Sequence, residues 1–197
     1  MDAFINAHYR LQDGFFSIGY FIAPTMTLKE GVHLHVDKLA MLASIKATDK
    51  VLDVGAGRGK SAQRLRDTIS CDVTPIDIIP APGVIEANKE DLPFPDNSFD
   101  VYWSTLAFSY GDEAKTLAEA RRVLKPGGKI ALTDVSSTGL GLPGVTEVVR
   151  EDWTEHAIET YKRMRRMTDD REGQVALRMY FDDFRLGRQK FWCVVAI

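Results

Sequence analysis

The run Val51-Leu52-Asp53-Val54-Gly55-Ala56-Gly57-Arg58-Gly59-Lys60-Ser61-Ala62 constrains this chain more than any other. A short apolar stretch gives way to three glycines at alternate positions and then to residues that open a helix. Glycine tolerates φ > 0 and has no Cβ, so the turn can be tight and a bulky ligand can approach the backbone. Strand, turn and helix in that order are the start of a βα unit, and open α/β sheets bind their ligands beyond the carboxyl ends of the strands. Asp53 stands near that end.

The loop leaves more than one ligand open. A carboxylate at Asp53 suits a cationic ligand better than a pyrophosphate, which points to a nucleoside carrying an amino acid, S-adenosylmethionine being the obvious candidate. Gly57-Arg58-Gly59-Lys60-Ser61-Ala62 also approaches the G-x-G-x-x-G/A dinucleotide pattern, and Asp77 follows at the expected distance of about 20 residues. A glycine-rich turn that holds no ligand is the third reading.

Two further motifs lie downstream: Glu90-Asp91-Leu92-Pro93-Phe94-Pro95-Asp96-Asn97-Ser98-Phe99-Asp100 and Arg122-Val123-Leu124-Lys125-Pro126-Gly127-Gly128. With the glycine loop, in this order, the chain resembles class I S-adenosylmethionine-dependent methyltransferases. It is most similar to the small-molecule group that includes quinone-biosynthesis C-methyltransferases and sterol methyltransferases. The resemblance runs from Lys50 to Val135. It implies a Rossmann-like methyltransferase sandwich, a mostly parallel sheet with helices on both faces and an antiparallel C-terminal hairpin. It also implies methyl transfer from S-adenosylmethionine to a small organic acceptor, with S-adenosylhomocysteine as product.

Residue by residue, the resemblance implies that Asp53 lies near the methionine ammonium, directly or through water or backbone. Gly55, Ala56, Gly57 and Gly59 approach the ligand through backbone. Asp77, followed by Ile78, matches the acidic residue that accepts the ribose hydroxyls. Asn88 takes the position that contacts the adenine amino group, Lys89 contributes backbone, and Ser104, Thr105 and Leu106 follow strand four beside the sulfonium. No motif of the nucleic-acid, protein-arginine or metal-dependent catechol types is present, so neither a metal nor a nucleic acid is expected.

Methyl transfer gains much of its rate from alignment, and a base is needed only for some acceptors. The candidate bases are His8, Tyr9, His33, His35 and Tyr110, of which Tyr110, Tyr9 and His35 have the best claims; each has a packing role as its alternative. A fold relative with another reaction, a non-catalytic partner subunit and a dinucleotide oxidoreductase remain as alternatives.

Composition fits one globular domain over 1–197, with 1–35 as an N-terminal lid and 36–197 as the Rossmann-like core. The net charge is −3, with no global basic field for nucleic acid. No long apolar run could span a membrane. The N-terminus lacks a signal-peptide pattern, and Cys71 and Cys193 read as buried free thiols of a cytoplasmic protein. The basic cluster Lys162, Arg163, Arg165 and Arg166 reads as a solvated helix face.

The expected elements are a helix from Asp37 to Ile45, strands at 51–54 and 72–77, and a helix from about Lys60. A helix over Asp112–Leu124, strand five at Lys129–Val135 and a long tail helix through Val145, Val149, Trp153, Ala157, Tyr161 and Met164 follow, then strands at Leu177–Phe184 and Lys190–Ile197. Only Ile78–Ala87, containing Pro80, Pro82 and Gly83, separates strand two from Asn88. A loop is therefore expected there in place of the usual crossover helix, with strand three short near Val84–Ala87. The sheet face left bare would be covered by the N-terminal segment or by a second copy in a homodimer.

Overall fold

The computed structural model describes residues 2–79 and 81–197. In chain order the elements are α1 (Asp2–Leu11), α2 (Leu28–Leu42), β1 (Lys50–Val54), α3 (Lys60–Ile69), β2 (Asp72–Asp77), β3 (Ile85–Glu86) and β4 (Phe99–Thr105). They continue with α4 (Glu113–Val123), β5 (Leu124–Ser136), β6 (Glu147–Asp152), α5 (Thr154–Met167), α6 (Arg171–Arg185) and β7 (Lys190–Ala196). The sheet order is β3-β2-β1-β4-β5-β7-β6. The first five strands in that order run parallel; β7 is antiparallel to β5 and to β6. This is the α/β class and sheet architecture the sequence implies.

Alternation along the strands builds two cores. Val51, Val101, Trp103, Cys193 and Val195 point to one face, where α2, α3, α5 and α6 supply Leu39, Leu65, Tyr161 and Leu177. Leu52, Tyr102, Leu132 and Val194 point to the other, where α4 supplies Leu117, Ala120 and Val123. Strand period 2 against helix period 3.6 is what separates the two sets.

The second face carries fewer helices because the β2–β3 connection is a loop, as expected. Among the described residues no helix lies between the two strands; Ala81 and Val84 form an isolated bridge, and β3 is two residues long. Ile78 and Ile79 stand about 70 % exposed beside it. Pro80 lies outside the described residues.

Four expectations are corrected. Residues 177–184 form part of α6, not a strand. Asp170 caps that helix through Gly173 N–H at 2.8 Å; Leu177 and Phe184, one heptad apart, are buried, while Met179, which an inward-facing alternation would bury with Leu177, is 64 % exposed. A short apolar run cannot by itself separate strand from helix. The antiparallel edge is therefore not a hairpin: β6 and β7 are joined through α5 and α6. Residues 147–152 form that edge strand, and the tail helix begins only at Thr154; pairing with β7 overrides the helical spacing of Val145 and Val149. Finally, α2 starts at Leu28, nine residues before Asp37. Its start is a capping box, in which Thr27 Oγ1 accepts from Glu30 N–H and the Glu30 carboxylate accepts from Thr27 N–H at 2.7 Å.

The first 35 residues are also more regular than their composition suggests. α1 packs against α5 and α6, and Phe4 stacks on Tyr180 with ring centroids 3.9 Å apart. Residues 2–11 are thus a helix packed on α5 and α6.

Candidate active site

The chain turns back on itself between β1 and β4: β1, β2 and β3 progress toward one edge, and β4 and β5 toward the other. A crevice opens at such a switch point, at the carboxyl ends of the strands. A cavity of about 670 Å³ lies there, inside the ~300–1,000 Å³ range of cofactor and small-molecule sites.

Its floor is the glycine loop. Gly55 and Ala56 both donate their N–H groups to Ile76 O at 2.9 Å, which ties the loop to β2. Gly55 has φ +75°, and a Cβ there would lie 2.1 Å from the Ala107 methyl. Gly57 also has φ > 0, and a Cβ would meet the Tyr9 hydroxyl at 2.7 Å. Both positions therefore need glycine for conformation and for space. Gly59, with φ +70°, is the N-cap of α3 and provides no side-chain cap; it stands behind the cavity wall, while Arg58, Lys60 and Ser61 reach it.

Asp77 ends β2 at the cavity edge. Its Oδ2 accepts from Gly57 N–H at 2.8 Å and its Oδ1 from Ile79 N–H at 2.9 Å. A carboxylate has about four lone-pair sites, so two acceptor directions remain for a ligand. Ile78 and Ile79 continue the wall, and Asn88 and Lys89 line it as well, next to Asp77 because Ala87 N–H donates to Asp77 O at 2.9 Å. Asn88 Oδ1 accepts from Glu90 N–H at 3.0 Å. Lys89 does more than contribute backbone: its ammonium donates to Ala107 O at 2.6 Å and Phe108 O at 2.9 Å, and burial lowers its pKa.

Beyond β4, Thr105, Leu106, Ala107 and Tyr110 complete the wall. Leu106 adopts φ +56°, a rare conformation for a branched residue. The turn is held by Leu106 N–H on Thr133 O at 2.8 Å, by Lys89, and by Asp134, which accepts from Ser109 N–H at 2.8 Å and from its hydroxyl at 3.0 Å. From the N-terminal segment Ile5, Tyr9, Phe15 and Phe16 line the remaining side, and the Arg58 guanidinium lies 4.1 Å from the Tyr9 ring centroid.

Besides Gly59, three expected site residues lie outside the cavity lining. Asp53 is buried behind the loop; burial, with Asp77's charge adding, pushes its carboxyl up to about 7, and Oδ2 has no hydrogen-bond partner among the described residues. Ser104 is buried with an unpartnered hydroxyl. His35 sits in the core, its Nε2 3.0 Å from the Thr133 hydroxyl, and burial lowers its pKa to about 4. His8 is likewise buried, hydrogen-bonded to Phe4 O and held to about 4. No histidine lines the cavity.

The tyrosines do. Burial raises both the Tyr9 and the Tyr110 pKa; Asp77 adds to the first and Arg58 opposes it. Arg58, Lys60 and Ile79 were legible only as neighbours of the glycine loop and of Asp77; Thr105 and Leu106 line the cavity where the sequence expects them, but the left-handed φ of Leu106 had no sequence signal.

Comparison with known families decides between the ligand classes. Residues 52–132 match the family described as a methyltransferase domain. The chain carries a methyltransferase domain. That domain spans β1 to β5 and so holds the glycine loop, Asp77, Asn88, Lys89 and the β4 turn. The chain is 33 % identical over 153 residues to the 27-O-demethylrifamycin SV methyltransferase of Amycolatopsis mediterranei, a match covering 68 % of this chain and 56 % of that protein. It is 28 % identical over 205 residues to the glycine/sarcosine/dimethylglycine N-methyltransferase of Actinopolyspora halophila, covering 81 % of this chain and 36 % of that protein. The chain thus spans between about a third and just over half of these two relatives. A crystal structure described as a sarcosine dimethylglycine methyltransferase from Galdieria sulphuraria superposes with a TM-score of 0.86 at 20 % identity, covering 100 % of this chain and 98 % of that one. The methyltransferase fold therefore extends beyond residues 52–132, through α1, α2 and the C-terminal elements.

Proposed function

We propose that the chain is an enzyme that transfers a methyl group from S-adenosylmethionine to a small organic acceptor. The observation that carries the reading is the joined geometry of the glycine loop and Asp77 inside the methyltransferase domain, at the switch point of the sheet. The cavity fits the group: positions 55 and 57 have no room for a Cβ, and the Asp77 carboxylate keeps free acceptor directions beside the loop.

Asp77 would accept the ribose hydroxyls while Gly57 N–H holds its other side. Ile78 and Ile79 would give an apolar surface for the base, with Asn88 at its rim. Asp53 would act from behind the loop, its unpartnered oxygen accepting from the methionine ammonium through water or neighbouring backbone. When bound, S-adenosylmethionine supplies an electrophilic methyl: the acceptor's lone pair forms the new bond to carbon, the sulfur–carbon bond breaks with its electrons returning to sulfur, and S-adenosylhomocysteine leaves.

The chain's own contribution is alignment and exclusion of water. Lys89 and Asp134 hold the turn that carries Leu106 and Ala107, and the N-terminal residues Ile5, Tyr9, Phe15 and Phe16 close the opposite side. Tyrosines with raised pKa values remain protonated near neutral pH, and Glu90 is engaged by Asp112 N–H at 2.8 Å. These features favour an acceptor that is already nucleophilic over one that must be deprotonated in the site.

The reading takes 1–197 as one domain with 1–35 as the acceptor-side cover. Two free, buried cysteines fit a cytoplasmic protein, and no helix of the described residues is long and apolar enough to cross a membrane. The net charge argues against nucleic acid as acceptor, and exposed Ile85, in the β3 edge strand outside the cavity lining, fits a homodimer contact. The experiment is incubation with methyl-¹³C S-adenosylmethionine and a panel of amines, phenols and carboxylates. Acceptor-dependent formation of S-adenosylhomocysteine with the label on the acceptor supports the reading; binding without transfer to any acceptor favours a cofactor-binding partner subunit.

A further inference from the structure

A second cavity, of about 490 Å³, adjoins the first. Tyr9 and Arg58 line both, so the Tyr9 ring with the guanidinium stacked on it forms the partition. On the far side stand Asn6, Arg10, Asp170 and Glu172. Among the described residues, neither Arg10 nor Arg58 lies within 4.0 Å of a carboxylate oxygen. Arg10 donates one hydrogen bond, to the Thr168 hydroxyl at 2.8 Å.

Two acids, Asp170 and Glu172, share this cavity at the start of α6. Asp170 caps α6, its Oδ2 accepting from Gly173 N–H at 2.8 Å, and Glu172 lies in the first turn of that helix. Both positions offset the positive end of the helix dipole. Two guanidiniums thus line the cavity together with these two acids, neither guanidinium paired to a carboxylate among the described residues and each with most of its five N–H donors unspent. Guanidinium recognises carboxylate and phosphate by paired, charge-assisted hydrogen bonds.

We propose that Arg10 and Arg58 form an anion subsite that receives a terminal carboxylate or phosphate of the methyl acceptor. This rests on the methyl-transfer reading of the first cavity. The acceptor would place its nucleophile among Phe16, Leu106 and Tyr110 and reach past Tyr9, so that its anionic end meets the guanidiniums. Arg58 is then shared: it stands in the glycine loop, between Gly57 and Gly59, and couples the donor side to the acceptor's tail.

The test observes the arginine Nε–H signals of the full chain by NMR. Acetate, inorganic phosphate and tetramethylammonium are titrated separately at constant ionic strength. Saturable shifts of Arg10 and Arg58 with acetate or phosphate are expected, in the millimolar range, and the stronger of the two identifies carboxylate or phosphate as the acceptor's group. In Arg10→Gln the anion affinity should fall at least tenfold while S-adenosylhomocysteine affinity, measured by calorimetry, stays within twofold. Thr168→Val, which removes the Arg10 tether and keeps the charge, should retain anion binding within threefold and reports whether a loss in Arg10→Gln comes merely from loosening α1. Absent or non-saturable shifts, binding unchanged in Arg10→Gln, or binding of tetramethylammonium in place of the anions would overturn the subsite. Anion binding without any S-adenosylhomocysteine binding would instead overturn the methyl-transfer reading and leave the anion site standing.

Discussion

Asp77 and Gly57 are joined by a 2.8 Å hydrogen bond in which the glycine N–H donates to carboxylate Oδ2. The contact links the end of β2 to the turn after β1, twenty residues apart, and sets the carboxylate against the loop that would carry the methyl donor. Removing it should have two effects. Asp77→Ala takes away the proposed ribose acceptor and leaves Gly57 N–H without its partner. Hydrogen bonds to charged groups contribute about 1.5–3 kcal/mol, so S-adenosylmethionine affinity should fall by roughly tenfold to a hundredfold. Calorimetry on the folded variant checks this; unchanged affinity would remove Asp77 from the site.

Gly55 packs against Ala107 across the same cavity. Gly55→Ala would bring two methyl carbons to 2.1 Å in a backbone with φ +75°. The left-handed conformation alone costs ~1–2 kcal/mol for an L-residue, and the overlap adds to it. Denaturant unfolding should register a loss larger than that strain. Gly55→Ala combined with Ala107→Gly should recover the overlap and leave the strain. Equal losses in the single and double variants would contradict the close contact.

Tyr9 and Tyr110 are the titratable side chains on the acceptor side, and both are held protonated near neutral pH. In the proposed function their rings cover the site and their hydroxyls stay protonated. Tyr9→Phe and Tyr110→Phe should each keep kcat within about threefold, whereas Tyr9→Ala, which opens the partition, should lower it at least tenfold, a loss of about 1.4 kcal/mol in transition-state stabilisation. A Tyr→Phe change as damaging as Tyr→Ala would make that hydroxyl a participant.

Buried histidines set the acid limit of stability. His8 and His35 have folded-state pKa values of about 4, below the ordinary 6.5, because burial disfavours the charged ring. Between pH 6.5 and 4 the unfolded chain binds the extra protons, so each histidine withdraws stability as pH falls through that window. Asp53 acts in the opposite sense: its carboxyl, raised to about 7, is protonated in the folded state first and adds stability as pH falls from 7 toward 3.8. His33 and His156, also lowered, add to the loss, and Asp134, also raised, adds to the gain, so histidines outnumber carboxyls and stability falls as pH falls. Urea midpoints from pH 7 to 4.5 should decline accordingly, and His35→Gln should flatten the slope; a slope unchanged by that substitution would contradict the assignment of His35.

The legible part of this protein was the part with strong local grammar. Val51–Val54, the glycine loop, Asp77 and the Asp112-capped helix announce themselves because a turn, a cap or a strand end needs those residue types. The proline-containing spacing after Asp77 likewise gave the missing crossover helix. Residues 145–152 and 177–184 were misread because edge pairing with β7 and packing under α1 are long-range facts. The apolar spacing of those segments fits helix and strand alike. His35 looked like a base in sequence because a histidine's chemistry does not reveal its burial. The place of Leu106 after strand four was legible, but its left-handed backbone was not, since that is sustained by Thr133, Lys89 and Asp134 from other segments. The second role of Lys89, holding two carbonyls, follows from the same convergence.

Calorimetric titration of the full chain with S-adenosylhomocysteine and, separately, with NAD tests the central claim most directly. The account predicts one S-adenosylhomocysteine site per chain, weakened at least tenfold by Asp77→Ala, and no heat with NAD. Saturable binding of NAD, or no binding of S-adenosylhomocysteine to the folded protein, would contradict it.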